Sequence, residues 1–115
     1  MIRGEVYWAD LTPRSGSEQR GRRPVVVVSH DGFNAVPTWQ TVIVVPLSTS
    51  DAQARRGPTA VLLTPGTAGL AKGGVAVCHQ VTTLDRSKLQ ERLGILPTDA
   101  MSAVAEGLRA ALDLD

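Results

Sequence analysis

Residues 24–29 read PVVVVS, and residues 39–47 read WQTVIVVPL. Runs of β-branched side chains favour extended backbone, because two heavy atoms on Cβ restrict χ1 and pack well on a pleated surface. Neither run alternates apolar with polar, so each predicts a strand buried on both faces. Working outward, residues 4–11 predict a first strand, with Val6, Trp8 and Leu11 alternating with Glu5 and Tyr7 until Asp10 breaks the pattern. Residues 59–64 (TAVLLT) predict another, and GVAVCHQVTTL a further one with a bend at Cys78–His79. A turn at Asp85–Ser87 then leads into a last strand ending near Ile95.

The connections carry turn chemistry. Residues 12–22 (TPRSGSEQRGR) are a loop with one Pro, two Gly and two Ser, and STSDAQARRGP is a second polar loop. HDGFNAVP reads as a turn or one short helical turn, and PGTAGLAKGG as a turn ending at Gly73–Gly74. Residues 99–112 predict the one clear helix: Met101, Val104, Ala105, Leu108, Ala111 and Leu112 follow i, i+3, i+4, i+7 spacing. Thr98 is the expected N-cap, Asp99 suits the positive end of the dipole, and Gly107 should weaken the helix by about 1 kcal/mol relative to Ala. The expected fold is mainly β: a small barrel or curled antiparallel sheet with a C-terminal helix, one domain over residues 1–115.

With 43% hydrophobic and 20% charged residues, the composition is that of a globular chain rather than a disordered one. At 115 residues the core is modest, so dimerisation is a natural way to gain stability. The net charge of +1 gives no global signal for nucleic acid. The local distribution does: Arg14, Arg20, Arg22 and Arg23 crowd one segment, with Glu18 the only acid among them, and such a loop suits phosphates. Cys78 is the single cysteine, which excludes an internal disulfide and a four-cysteine zinc site. No His, Asp and Glu cluster has metal-ligand spacing, so neither a metal nor another cofactor is expected. MIRGEVYWADL lacks the regions of a signal peptide, and no apolar run approaches the ~18 residues of a membrane span. A cytoplasmic protein is expected.

Several segments together resemble the MazF/PemK (Kid) family of type II toxins. GEVYWADLTP resembles its opening strand, SGSEQRGRRPVVVVS its signature loop and second strand, and TVIVVPLSTS its third strand and the turn after it. VAVCHQVTTLDRSKLQERLGIL resembles the late strand region. The match runs through nearly the whole chain in order, and the 14-residue pattern GSEQxGxRPVVVVS is its most specific piece. The resemblance implies an SH3-like barrel, a symmetric homodimer and sequence-specific, metal-independent cleavage of single-stranded RNA. It also implies a cognate antitoxin, MazE-like with an acidic C-terminal segment. Such cleavage uses the substrate's own 2′-hydroxyl as nucleophile. The enzyme must help deprotonate it, stabilise the phosphorane and protonate the leaving 5′-oxygen.

The same resemblance suggests roles. Arg23 matches the family's catalytic arginine and would stabilise the phosphorane, since a guanidinium stays protonated and is a poor proton carrier. Ser48 stands where the family usually has threonine and keeps the hydroxyl, although Thr49 is an alternative source. Glu18 is a candidate base for the 2′-hydroxyl or an acceptor for a base edge, against the plainer reading of a solvated loop acid. Gln19, Arg20, Arg22, Thr49 and Gln80 are the expected RNA contacts, and Gly16 and Ser17 would let the loop bend over substrate. An imidazole suits acid–base work near neutral pH, but His30 and His79 stand where the family more often has other residues, so neither is expected to be catalytic, and a histidine at 79 would bear on which bases are accepted. Trp8 and Trp39 are expected in the core or at a dimer interface rather than stacked on bases. Two other classes remain open: a CcdB-like toxin that acts by binding gyrase, and a non-catalytic barrel that binds RNA or a peptide.

Overall fold

The computed structural model describes residues 1–12, 16 and 21–115. The seven strands are β1 (Glu5–Asp10), β2 (Arg22–Val27), β3 (Thr41–Ser48), β4 (Ala60–Leu63), β5 (Gly74–Val77), β6 (Thr82–Asp85) and β7 (Leu89–Ile95). The helices are α1 (Asp31–Asn34), α2 (Asp51–Ala54) and α3 (Thr98–Leu112). All pairings are antiparallel, in the order β4-β5-β3-β2-β1-β7, with β6 also on β3.

The two apolar runs are the central strands, covered on both faces over Val25–Val27 and Val44–Ser48. Successive β2 residues point to opposite faces, so Val26 joins one apolar cluster while Val25 and Val27 join another. Across the sheet, Val45 and Val44 divide in the same way. The first cluster includes Val6, Leu47, Leu70 and Cys78 and is closed by Val104 of α3. The second holds Ala9, Leu11, Val42 and Leu84, with Tyr7 and Leu89 packed against it.

The bend expected at Cys78–His79 is a 3-10 turn over Cys78–Gln80. It splits the predicted strand into β5 and β6, and both halves pair with β3, β5 through Ser48↔Val75 and β6 through Val42↔Leu84. β3 is thereby shared between two directions of curl. The sheet's ends are drawn together where β7 meets the 67–69 turn that follows β4. A Cβ on Gly94 would lie 2.6 Å from the Ala68 carbonyl carbon, so only glycine allows that approach. The expected barrel-like curl and C-terminal helix are both present.

Gly107 looks like a weak point in the sequence but is a contact point in the fold. It is buried, and a Cβ there would meet Cys78 Sγ at 2.6 Å. Its absence lets α3 lie directly on the 78–80 turn, where the Cys78 thiol donates to the Val104 carbonyl at 3.7 Å. Burial pushes that thiol's pKa up to about 11, so Cys78 is packing material rather than a nucleophile.

Some local expectations need correction. Thr98 is not the N-cap of α3: Pro97 holds that position with extended backbone, and no side chain caps the helix. Residues 48–58 are not all loop, because the Ser50 hydroxyl accepts the Gln53 N–H and starts the four-residue α2. Ile43, expected in a fully buried strand, is 41% exposed, because it points to the face opposite that of its buried neighbours Val42 and Val44.

One ionic contact ties the first and last strands. Glu5 is buried and accepts hydrogen bonds from the Arg92 guanidinium, the Ile2 N–H and the Tyr7 hydroxyl. Burial pushes its pKa up, but the bonds and the Arg92 charge outweigh that, and the net shift is downward. A carboxyl whose folded pKa is depressed adds stability above its unfolded pKa and loses it as pH falls through the folded value. Wild type should therefore lose stability on acidification more steeply than Glu5→Gln. Urea unfolding from neutral pH down to the ordinary carboxylate range reads the difference, and parallel pH curves would show that the contact contributes nothing.

Candidate functional site

The base of the loop at 12–21 is closed before any site residue is reached. The Leu11 N–H donates to the Gly21 carbonyl at 2.9 Å, and Asp10 pairs with Arg22 across β1 and β2. Leu11, 1% exposed, anchors the strand end in the core. Asp10 also accepts from the Thr12 hydroxyl and N–H, bonds that hold its carboxyl below its usual pKa. Arg22 and Arg23 therefore leave the sheet from a fixed point.

Next to that point lies a cleft of about 430 Å³. Trp8, Pro24, Leu47, Leu70 and Leu93 give it apolar walls; Arg22, Arg23, Ser48, Thr49 and Lys72 give it cations and hydroxyls. Pro24 stands opposite Trp8 in register, and the Arg22 guanidinium lies 4.2 Å from the centre of the Trp8 ring. That stacking, with an Arg22 Nε bond to Gln90 of 2.8 Å, holds one cation at the rim. Arg23 is half-buried at the start of β2, immediately before the three fully buried valines. Ser48 is buried at the end of β3, and its Oγ accepts the Ser50 N–H at 3.0 Å. That bond uses one lone pair and leaves the hydroxyl proton free to donate into the cleft. Thr49 beside it is exposed.

The cleft thus gathers Arg22, Arg23, Ser48 and Thr49 from the expected set. Gln80 lines neither this cleft nor its neighbour; it lies in the 78–80 turn between β5 and β6. Glu18, Gln19 and Arg20, with Arg14 and Ser17, lie outside the described residues. Trp8 is not a core residue, because Arg22 covers it at the cleft, and Trp39 is 47% exposed and stacked on Phe33 with ring centres 5.0 Å apart. His30 has a structural role: its Nδ1 accepts the Gly32 N–H and caps α1. His79 is exposed, and desolvation followed by the Arg56 cation lowers its pKa. Lys72 was not anticipated; its only signal in the sequence is a lone cation inside a glycine-framed turn. Among the described residues, no three His, Cys, Asp or Glu side chains gather as a metal-binding group. No helix among them is long and apolar enough to cross a membrane.

A curled antiparallel sheet that sets two arginines, a lysine and two hydroxyls around an apolar-walled cleft has the chemistry to suit a polyanion with stackable groups, such as a nucleic-acid strand. Residues 2–112 match the family described as PemK-like, MazF-like toxin of type II toxin–antitoxin systems, and the chain belongs to that family. It is 39% identical over 114 residues to Endoribonuclease MazF2 of Mycobacterium bovis, which covers 99% of this chain and 98% of that relative. Among solved structures, a mycobacterial endoribonuclease in complex with its cognate antitoxin superposes with a TM-score of 0.81 at 27% identity, covering 100% of this chain and 97% of that one. MazF of Deinococcus radiodurans gives a TM-score of 0.80 at 30% identity, covering 99% and 97%.

Proposed function

We propose that residues 1–115 work as one toxin domain and cut single-stranded RNA at defined short sequences, without a metal, thereby stopping translation and growth. The observation that carries this reading is the cleft that brings Arg23 and Ser48 together in a chain 39% identical to a MazF endoribonuclease. Arg23 supplies charge to the phosphorane, and the Ser48 hydroxyl donates to a phosphate oxygen. Arg22, Thr49 and Trp8 hold the strand. Glu18, Gln19 and Arg20 are kept as proposed RNA contacts, Glu18 also as a proposed base. Gln80 would reach RNA only outside the cleft. The relatives described above are endoribonucleases and MazF toxins, so the CcdB-like alternative is not favoured. Incubation of the pure protein with a long single-stranded RNA and EDTA tests the reading. Cutting at defined short sequences supports it; intact RNA rejects it.

Two partners follow. The first is a second copy, in keeping with the modest core and the exposed apolar cluster of Phe33, Val36, Trp39 and Ile43. Sedimentation should show a two-fold dimer, and a 12.2 kDa species throughout the micromolar range would contradict it. The second is an antitoxin with an acidic segment. A relative of the same fold is solved with its cognate antitoxin, and an acidic peptide would seek the same arginines as RNA. Antitoxin peptide and uncleavable RNA should therefore compete, both weakening as salt rises. Simultaneous binding at full strength would rule out a shared surface. We place the protein in the cytoplasm, where its proposed substrate and partner are found; cell fractionation checks that placement.

A further inference from the structure

The cleft at Arg23 does not end at Thr49. A second cleft of about 360 Å³ continues beyond it, lined by Ser50, Asp51, Leu62, Thr64 and Val75 among others. Among the described residues, Thr49 and Lys72 alone line both. We propose that Lys72 is a phosphate-binding residue of the RNA path, fixed where the two clefts join, and that the bound strand runs through both. This rests on the endoribonuclease reading and extends it by one residue and one nucleotide subsite.

The turn carrying Lys72 is held as firmly as a strand. Leu70 is 6% exposed and sits in the main apolar cluster. Its carbonyl accepts the N–H of Gly66 at 2.7 Å and of Gly73 at 3.0 Å, and its own N–H donates to the Thr67 carbonyl. Gly73 has φ +66, and a Cβ there would lie 2.3 Å from the Leu63 carbonyl oxygen, so the backbone is pressed onto the end of β4. Lys72 is thus an exposed side chain on a hydrogen-bonded turn, between a core anchor and a close backbone contact. Its ammonium makes no hydrogen bond or ion pair with any other described residue.

The chemistry of the second cleft fits this role. Asp51 is its one acid among the described residues, and a carboxylate accepts from base amines but repels phosphate. The Thr49, Ser50 and Thr64 hydroxyls bear no charge. The phosphate of a nucleotide seated there must be met by Lys72, the only cation lining that cleft among the described residues. Lysine suits this task as a point charge on a flexible stem, needing no fixed fork geometry.

The test uses Lys72→Gln and Lys72→Arg in the full-length protein, with EDTA present. Cleavage is read on an RNA the wild type cuts, and affinity on the same sequence carrying 2′-O-methyl groups over a salt series. Lys72→Gln should lower kcat/KM at least about tenfold, equal to about 1.4 kcal/mol. It should also reduce the slope of log affinity against log salt by about 0.7, the share of one phosphate on a single strand. Lys72→Arg should keep both near wild type, since the positive charge remains. Normal wild-type cleavage with an unchanged slope in Lys72→Gln overturns the phosphate contact alone. A fall in cleavage without a change of slope overturns it too, because the residue would then act by another route. Failure of the wild type itself to cut RNA would overturn the endoribonuclease reading, and the RNA path with it.

Discussion

Arg23→Ala should cut single-stranded RNA at least about 10²-fold more slowly than wild type, the scale of one lost transition-state donor. In the sequence, Arg23 precedes Pro24 and a run of valines that bury themselves. In the fold, Val25, Val26 and Val27 are each 0% exposed, and Arg23 lies opposite Ala9, which is also 0% exposed. The guanidinium therefore springs from backbone that has no freedom to retreat. A preorganised cation costs no reorganisation when charge develops on the phosphorane, which is why its loss should fall on kcat more than on KM. The fold should survive, because the side chain lies at the strand's start rather than in either apolar cluster. Single-turnover kinetics with circular dichroism separates the two effects. A folded Arg23→Ala protein that cuts at near the wild-type rate would remove Arg23 from the site.

The second large effect should fall on the hydroxyl. Ser48→Ala is expected to lose about 10² in cleavage rate, again one donor, while Thr49→Ala loses less than about tenfold. Both side chains line the cleft, but only Ser48 is oriented by a hydrogen bond, from the Ser50 N–H at 3.0 Å. That bond also lies at the turn into α2, so Ser48→Ala must be compared with Ser48→Thr, which keeps the hydroxyl and should stay active. If Thr49→Ala is the more damaged of the two, the catalytic hydroxyl lies one residue further on.

Much of the fold is legible in residue order because its causes are local. β2 and β3 come from valine runs, the β5–β6 break from Cys78–His79, and α3 from apolar spacing. What escapes a reading of the sequence depends on contacts between distant segments. Gly107 reads as a weakness until Cys78 is set 2.6 Å from where its Cβ would be. Trp8 reads as core until Arg22 is found across its ring. The cleft draws on residues 8, 22–24, 47–49, 69–73 and 93, and only the curl of the sheet brings these together. Family likeness supplied Arg23 and Ser48 but gave no hint of Lys72, whose importance lies in its place between two clefts. It also suggested Gln80, which sits in the 3-10 turn between β5 and β6 and lines neither of them.

The central claim is that this fold cuts RNA by turning the substrate's own 2′-hydroxyl against the adjacent phosphate. The most direct measurement is mass spectrometry of the products formed in EDTA from two RNAs of identical sequence, one with a 2′-O-methyl group at the cleavage site. The expected result is a 2′,3′-cyclic phosphate and a 5′-hydroxyl from the unmodified RNA, with the modified site left intact. A 5′-phosphate product, or cutting at the blocked site, would contradict it.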